Sequence, residues 1–291
     1  MSPKDTLFST KQTMNCRGRL VQFSKPGIMG ILNVTPDSFY DGGKYPSGKE
    51  ILTKVAGMLS EGADIIDVGA YSSRPGASDV SVGEEKERLN RALDTIRINF
   101  PDAIISVDTF RAGVAEYVLD KFGVSIINDI SAGLLDENML PLAGERKVPF
   151  IMMHMLGTPR DMQRSPVYQD VTRELLAFFA ERIAAAKKVG VEDLIIDPGF
   201  GFGKTPSHNY TILRELQLFT MFGLPVMVGL SRKSMIYKSL HTTPEEALNG
   251  TTVLNTLALN NGATLLRVHD VKEASEVIRL FTLYQHAAEK I

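Results

Sequence analysis

The sequence predicts a (β/α)8 barrel, in which eight parallel strands alternate with eight helices. Eight short apolar runs rich in Ile and Val recur along the chain, each bounded by Gly, Pro, Asp or Asn. They lack two-residue alternation, which is typical of strands buried on both faces of a parallel sheet. Eight segments with helical signals separate or follow them. An open doubly wound sheet more often has five or six strands and a glycine fingerprint after the first, so the barrel is favoured.

The elements follow one another in strict alternation. The predicted strands span residues 27–34, 64–69, 103–109, 125–130, 150–155, 194–199, 226–230 and 265–270. The predicted helices span residues 49–61, 83–100, 111–122, 137–146, 168–190, 208–222, 244–261 and 271–290. Five helices end at or just before a glycine, the residue that most readily adopts the left-handed conformation of a helix end. These glycines are Gly62, Gly123, Gly190, Gly223 and Gly262.

No linker or charge run divides the chain. We therefore expect a single catalytic domain over residues 27–291, preceded by an extension over residues 1–26. Apolar and polar residues alternate over residues 17–23, which predicts a small hairpin that covers the N-terminal mouth of the barrel.

Composition excludes several classes of protein. The 291 residues are 44% hydrophobic and 23% charged with a net charge of −2, so disorder is excluded and no nucleic-acid partner is expected. The longest apolar runs are far shorter than the roughly 20 residues of a membrane span. A single cysteine, Cys16, and the lack of a charged and apolar leader predict a cytoplasmic protein.

Polar residues stand where the predicted strands end. These residues are Asn33, Asp67, Asp108, Asn128, Asp129, His154, Asp197, Ser231, Arg232, Lys233, Arg267, His269 and Asp270. Active sites of (β/α)8 barrels lie at the C-terminal ends of the strands, so we expect a small-molecule site there. A lone Asp after a strand is as often the N-cap of the next helix, and for Asp67 and Asp129 this alternative has at least equal weight.

The residue types at the strand ends indicate what they bind. Asp108 and Asp197 accept hydrogen bonds, and Asn128 both donates and accepts, which suits a planar ring edge rich in N–H donors, such as an aminopyrimidinone. Arg267 and His269 are two residues apart and hence on one face, where they can hold an anion such as a phosphate. The alternative for His269 is a histidine whose hydrogen bonds are satisfied inside the barrel mouth.

Two other site types are excluded by spacing. Residues 198–205 are glycine-rich, but Pro198 breaks the P-loop pattern and Lys204 breaks the dinucleotide pattern. We interpret this segment as a loop that exposes Phe202 for stacking. A zinc site is also excluded, because the sequence has no pair of cysteines and no pair of closely spaced histidines. The loops at residues 35–43 and 72–76 are candidate lids, or else ordinary solvated turns.

Eight motifs, in chain order, resemble the dihydropteroate synthase family of folate biosynthesis. They include Gly-Ile-Leu-Asn-Val-Thr-Pro-Asp-Ser-Phe at residues 30–39 and Asp-Pro-Gly-Phe-Gly-Phe-Gly-Lys at residues 197–204. The others lie at residues 72–77, 106–109, 127–129, 153–155, 229–234 and 267–270. One motif alone is weak, whereas the ordered set from residue 27 to residue 270 is specific.

The resemblance implies an activity. The enzyme would condense 6-hydroxymethyl-7,8-dihydropterin diphosphate with para-aminobenzoate, the substrate that sulfonamides mimic, and release 7,8-dihydropteroate and pyrophosphate. The C–O bond to the diphosphate would break first, in a dissociative step. The family also implies Mg2+ as cofactor, a homodimer and small-molecule substrates as the binding partners.

The resemblance also assigns residues to the two substrates. The pterin-binding positions match Asp108, Asn128, Met153, Asp197, Lys233 and Arg267. The pyrophosphate positions match Asn33, Arg74, Arg267 and His269, with Asn33 as the Mg2+ ligand. The para-aminobenzoate positions match Phe39, Ser73, Arg74, Pro75, Phe202 and Ser234. The implied catalytic residues are Asp41, which would stabilise the developing cation, and Lys233, Arg267 and His269.

Two alternatives share the pterin pocket. A methyltransferase domain that binds methyltetrahydrofolate has less need of a pyrophosphate clamp, so Arg74, Pro75, Arg267 and His269 argue against it. A non-catalytic pterin-binding paralogue would have damaged loop or clamp positions, whereas here suitable residues occupy all of them.

Overall fold

The computed structural model describes residues 13–23, 25–35, 47–71, 80–157 and 166–287. Five predicted site residues therefore lie outside the described part of the chain. They are Phe39, Asp41, Ser73, Arg74 and Pro75.

Eight parallel strands form the barrel, which confirms the predicted fold class. They are β3 (Gly27–Asn33), β4 (Ile65–Gly69), β5 (Ile105–Asp108), β6 (Ile126–Asp129), β7 (Phe150–Met153), β8 (Leu194–Asp197), β9 (Met227–Val228) and β10 (Leu265–Val268). The hydrogen-bonded order is β8-β7-β6-β5-β4-β3-β10-β9. A parallel bridge between Ile196 and Val226 joins β8 to β9 and closes the ring.

The helices that follow the strands lie in the eight predicted segments, except for one short helix over residues 234–237 that was not predicted. They are α1 (Gly48–Glu61), α2 (Val82–Asn99), α3 (Ala112–Phe122), α4 (Met139–Glu145), α5 (Val171–Lys188), α6 (Pro206–Arg214), α7 (Ser234–Tyr237), α8 (Leu248–Asn260) and α9 (Val271–Ala287). All five predicted helix-end glycines have positive φ, between 55° and 106°. No helix among the described residues is long and apolar enough to cross a membrane.

Two predicted helices were wrong in their bounds. The helix expected over residues 208–222 ends at Arg214, and a 3-10 helix (Leu216–Phe222) follows. Leu216 and Phe219, three residues apart, are both fully buried, and in a helix with three residues per turn they lie directly above one another. The helix expected from residue 244 begins at Leu248, because the carbonyls of Pro244 and Glu245 accept hydrogen bonds from Arg232 instead.

The predicted hairpin is present and lies under the barrel. Strand β1 (Thr13–Cys16) pairs antiparallel with β2 (Arg19–Gln22) across a turn at Arg17 and Gly18, both with positive φ. Met14, Cys16 and Phe23 pack on an apolar floor, made of one inward residue near the N-terminal end of each barrel strand. These inward residues are Met29, Ile65, Ile104, Ile126, Ile151, Ile195, Met227 and Leu265. The hairpin therefore closes the N-terminal mouth, while the division at residue 26 stays a prediction.

Candidate active site

On six of the eight barrel strands the inward face changes from apolar to polar along its length. Side chains two residues apart on a strand share a face, so the residues that follow the apolar floor by two or four positions also point inward. These are Asn33, Asp67, Asp108, Asn128, Met153, Asp197, Arg267 and His269. Seven of the eight are predicted site residues. The barrel thus collects at one end side chains that are far apart in the sequence.

Arg267 is the centre of an ion-pair cluster in this interior. Its Nε donates to Oδ2 of Asp67 at 2.7 Å, and its Nη2 donates to Oδ2 of Asp108 at 2.8 Å. The side-chain amide of Asn128 donates to the same Asp67 oxygen at 3.1 Å. The Nη1 group of Arg267 and Oδ1 of Asp67 have no hydrogen-bond partner among the described residues. The Nη1 group of Arg267 is therefore left to donate to a ligand, whereas Oδ1 of Asp67 is buried.

Charge and burial shift the pKa values of this cluster. Burial raises the pKa of Asp108 to about 7, although Arg267 opposes the rise, and the charge of Asp67 adds to it. For Arg267, burial alone would lower the pKa, but Asp67 and Asp108 raise it well above its usual value. The guanidinium thus stays charged, whereas Asp108 changes its protonation near neutral pH.

A second pair of charges faces the first across the interior. Asp197, at the end of β8, is buried and accepts a hydrogen bond from the backbone N–H of Gly199 at 2.8 Å. Burial raises its pKa, against the charge of Lys233. Burial likewise lowers the pKa of Lys233 to about 8, while Asp197 counteracts the shift. The two groups stabilise each other's charged forms in a site that disfavours charge.

The loop after β8 holds Lys233 in place. The Nζ of Lys233 donates to the carbonyl of Phe200 and lies 4.7 Å from the centre of the Phe202 ring. Phe202 is half-buried and its ring faces the Lys233 ammonium, so its role as a stacking surface for a ligand stays a prediction. Ser234 follows Lys233 as the first residue of α7.

Lys204 organises the same loop and was not among the predicted site residues. Its buried Nζ donates to the carbonyls of Gly199, Phe202 and His154 at 3.0, 3.0 and 3.2 Å, and it lies 3.0 Å from Nδ1 of His154. The available signal in the sequence was its position inside a glycine-rich loop, where many backbone carbonyls are within reach of the ammonium. The sequence argument used Lys204 only to exclude a dinucleotide site.

Two of the remaining polar residues at the strand ends, His154 and Asp129, have structural roles. His154 is buried against Phe178, with ring centres 4.7 Å apart, and bonds to Lys204, so its role is structural. Asp129 accepts hydrogen bonds from Ser131 and Gly133 and stabilises the turn after β6. Its role is structural, but it is not the N-cap of the next helix, because Asn138 holds that position before α4.

For Asp67 the capping alternative was wrong, because its carboxylate lies inside the barrel and binds Arg267 and Asn128. The signal was its spacing of two residues from Ile65, whose side chain belongs to the apolar floor.

Asn33 and His269 lie at the rim of the C-terminal mouth of the barrel. A Cβ at Gly69 would come within 3.3 Å of Oδ1 of Asn33, so the small residue at this position leaves room for the amide. His269 is exposed in part, and its Nδ1 lies 3.1 Å from Oγ of Ser231. Desolvation, and then the charges of Arg267 and Lys54, lower the pKa of His269 to about 4, so its imidazole is neutral at pH 7.

The described residues contain no cluster of three or more His, Cys, Asp or Glu side chains that could hold a metal ion. Mg2+ often binds proteins through one or two oxygen ligands and takes the rest from water and substrate phosphates. Asn33 offers one amide oxygen of this kind at the end of β3.

Comparison with known proteins agrees with this geometry. Residues 29–269 match the model of a family described as pterin binding enzyme. The dihydropteroate synthase of Escherichia coli (strain K12) is 45% identical over 266 residues, which cover 91% of this chain and 93% of the relative. That of Haemophilus influenzae is 42% identical and covers 90% and 95%.

Solved structures match over almost the whole chain. The Yersinia pestis dihydropteroate synthase in complex with a sulfonamide drug superimposes with a TM-score of 0.88 at 38% identity, covering 94% of this chain and 99% of that one. The Xanthomonas albilineans enzyme with 4-aminobenzoic acid gives a TM-score of 0.85 at 37% identity, covering 96% and 99%. The chain therefore belongs to the dihydropteroate synthase family of pterin-binding enzymes, which are transferases of folate biosynthesis.

Proposed function

We propose that this enzyme condenses 6-hydroxymethyl-7,8-dihydropterin diphosphate with para-aminobenzoate to give 7,8-dihydropteroate and pyrophosphate. The observation that carries the proposal is the inward cluster of Asp67, Asp108, Asn128 and Arg267, opposite Asp197 and Lys233. This arrangement offers carboxylate acceptors to a ring rich in N–H groups and cations to a polyanion.

The pterin ring would bind in the barrel interior. Asp108 and Asp197 would accept hydrogen bonds from its ring N–H and amino groups, with Asn128, Arg267 and Lys233 as donors to its carbonyl and ring nitrogens. Met153 is buried and would form an apolar wall. Each hydrogen bond to a charged group contributes about 1.5–3 kcal/mol, so a few of them would give both affinity and orientation.

The chemistry would begin at the leaving group. The C–O bond breaks and its electron pair leaves with pyrophosphate, while a cation remains that the dihydropterin ring delocalises. Arg267 and the neutral His269 would stabilise the developing negative charge on the pyrophosphate oxygens, as preorganised donors do in other transferases. The arylamine nitrogen then forms the C–N bond and releases a proton. Asp41, implied by family resemblance to stabilise the cation, lies outside the described residues.

Para-aminobenzoate would bind at the rim beside Phe202 and Ser234. The positions expected to complete this subsite are Phe39, Ser73, Arg74 and Pro75, which lie outside the described residues. The 4-aminobenzoic acid bound by the Xanthomonas albilineans enzyme and the sulfonamide bound by the Yersinia pestis enzyme support this choice of second substrate. We expect sulfonamides to compete with it.

We propose Mg2+ as the cofactor, held by Asn33 together with oxygens of the diphosphate. When bound, it neutralises charge on the leaving group. Asn33→Ala would then raise the Mg2+ concentration needed for half-maximal activity.

The direct test follows both products. Purified protein is incubated with the pterin diphosphate, labelled para-aminobenzoate and Mg2+, with a parallel sample in EDTA. Equal amounts of dihydropteroate and pyrophosphate, formed only with the metal, are expected. Pyrophosphate alone would contradict the arylamine subsite. Pterin binding without either product would favour a non-catalytic paralogue or a methyltransferase domain, which a titration with methyltetrahydrofolate would separate.

We also propose that the enzyme is a homodimer in the cytoplasm. Large apolar side chains are exposed on two neighbouring helices, α8 and α9, which supports contact with a second copy through this face. They are Val253, Leu257, Leu280, Leu283 and Tyr284, with exposed fractions from 46% to 70%. Sedimentation of Leu257→Glu and Leu283→Glu variants would test it, and dimers of unchanged stability would contradict this face.

A further inference from the structure

Ser231 lies in the loop between β9 and α7, and its side chain forms hydrogen bonds with only one other of the described residues, His269. Its buried hydroxyl accepts a hydrogen bond from the backbone N–H of His269 at 3.3 Å. The same oxygen lies 3.1 Å from Nδ1 of the His269 ring. Among the described residues, these two nitrogens are the hydrogen-bond partners of the hydroxyl.

The number of hydrogens decides the direction of the second bond. A backbone N–H can only donate, so the hydroxyl oxygen is the acceptor in the first bond. The hydroxyl hydrogen then needs an acceptor, because a buried donor without a partner costs about 1–3 kcal/mol. The only acceptor available within the described residues is Nδ1 of His269. Nδ1 must then carry no hydrogen.

We infer that Ser231 is a positioning residue that holds His269 in the tautomer protonated at Nε2. The role of that tautomer in catalysis rests on the proposed function. Nε2 has no partner among the described residues, so its N–H is left to donate to a ligand. In the other tautomer Nε2 would present a lone pair to the pyrophosphate oxygens and repel them. The lowered pKa of His269 agrees with a neutral ring, for which the choice of tautomer matters.

The backbone around Ser231 is held firmly enough for this role. Arg232 has a φ of 54°, in the left-handed region that a non-glycine residue adopts only when its surroundings compensate. Its guanidinium forms two hydrogen bonds with Asp270, at 2.9 and 2.8 Å, and its backbone N–H donates to Thr251 at 3.0 Å. The neighbours of Ser231 and of His269 are thus joined directly, which keeps the hydroxyl at Nδ1.

The tautomer can be measured without substrate by NMR of ¹⁵N-histidine-labelled protein. His269→Gln assigns the His269 signals, since the protein has five histidines. We expect a protonated Nε2 and an unprotonated Nδ1 in the wild type at pH 7. A protonated Nδ1 would overturn the inference whatever the variants do.

Three variants then test the role of the hydroxyl. Ser231→Ala should give a mixture of tautomers and lower kcat about tenfold, the effect of one lost hydrogen bond, with small changes in both KM values. Ser231→Thr keeps a hydroxyl and should restore the Nε2 tautomer and most of kcat. Ser60→Ala, an exposed hydroxyl on α1, is the matched control and should change neither.

An Ala variant with an unchanged tautomer and an unchanged kcat would overturn the inference. Failure of the proposed function gives a different result. If the wild type forms no product, the proposed activity is contradicted, while the NMR spectrum still reports the tautomer of His269.

Discussion

The two ends of the barrel interior have opposite chemistry. At the N-terminal end, Met14 and Phe23 of the hairpin region pack on a floor of Ile, Leu and Met side chains. At the C-terminal end, Asp67 is fully buried but carries charge, paired with Arg267. Burying an apolar side chain stabilises a protein by about 1.5–3 kcal/mol, whereas burying an ion pair seldom gains anything. One end therefore contributes stability, and the other gives up stability for binding.

The largest expected effect comes from breaking the charged end. Arg267→Met should lower the free energy of unfolding by about 3–5 kcal/mol, because Asp67 and Asp108 would lose their compensating charge. Urea unfolding at pH 8 measures this. Asp67→Asn in the same background removes one uncompensated charge and should recover part of the loss. An Arg267→Met variant as stable as the wild type would mean that these charges are solvated.

The apolar end should respond in stability alone. Phe23 is 8% exposed, and Phe23→Ala should cost about 3 kcal/mol of unfolding free energy through the cavity it leaves. Below the unfolding transition, kcat and both KM values should stay unchanged. Leu20→Ala, in the same hairpin but 64% exposed, should change stability by less than about 0.5 kcal/mol. A raised KM in Phe23→Ala would show that the two ends are coupled.

At the charged end, a substitution that removes a charge without changing the shape of the side chain should weaken ligand binding. Asp108→Asn should keep the fold and weaken the binding of a pterin ligand about ten- to a hundredfold, the loss of a charge-assisted hydrogen bond. Calorimetric titration gives the affinity. Asp120→Asn, which changes an exposed ion pair on α3, is the control. Unchanged pterin affinity in Asp108→Asn would refute the placement of the pterin.

The smallest expected effect is that of pH. Because the pKa of Asp108 is raised to about 7, its acceptor form grows as pH rises. Pterin affinity should increase about tenfold from pH 6 to pH 8 in the wild type, as linkage to one proton requires. Asp108→Asn should remove that increase, and a pH dependence that persists in the variant would assign it to another group.

The raised pKa of Asp108 affects stability in the opposite direction from pterin affinity. The folded protein keeps the Asp108 proton at pH values where the unfolded chain has lost it. The contribution of Asp108 to the free energy of unfolding therefore falls as pH rises from about 4 to about 7.

Local sequence patterns were enough to predict the strands and helix ends that surround the site. Uninterrupted Ile and Val runs predicted the strands, and helix-end glycines such as Gly123 have the positive φ expected of them. Because all strands of such a barrel point the same way, knowing where each strand ends also predicted that Asp108, Asn128 and Arg267 would meet, and they do.

Which atoms of distant segments pair with one another was beyond the sequence. Arg267 and Asp67 are 200 residues apart, Ser231 and His269 are 38 apart, and Lys204 and His154 are 50 apart. An Asp after a strand looks the same in sequence whether it caps a turn, as Asp129 does, or binds inside the barrel, as Asp67 does. Which one occurs depends on the inward or outward phase of the strand, and that phase is set when the floor residues pack against the hairpin.

The sequence by itself thus determined the fold, the order of the elements and the chemical types of side chain at the C-terminal mouth, because these follow from short-range periodicity and from residue chemistry. Only the tertiary structure decided which carboxylate pairs with Arg267, how Lys204 holds its loop and which nitrogen of His269 faces Ser231. Those outcomes depend on distances of about 3 Å between atoms from different strands, and no local pattern specifies such distances.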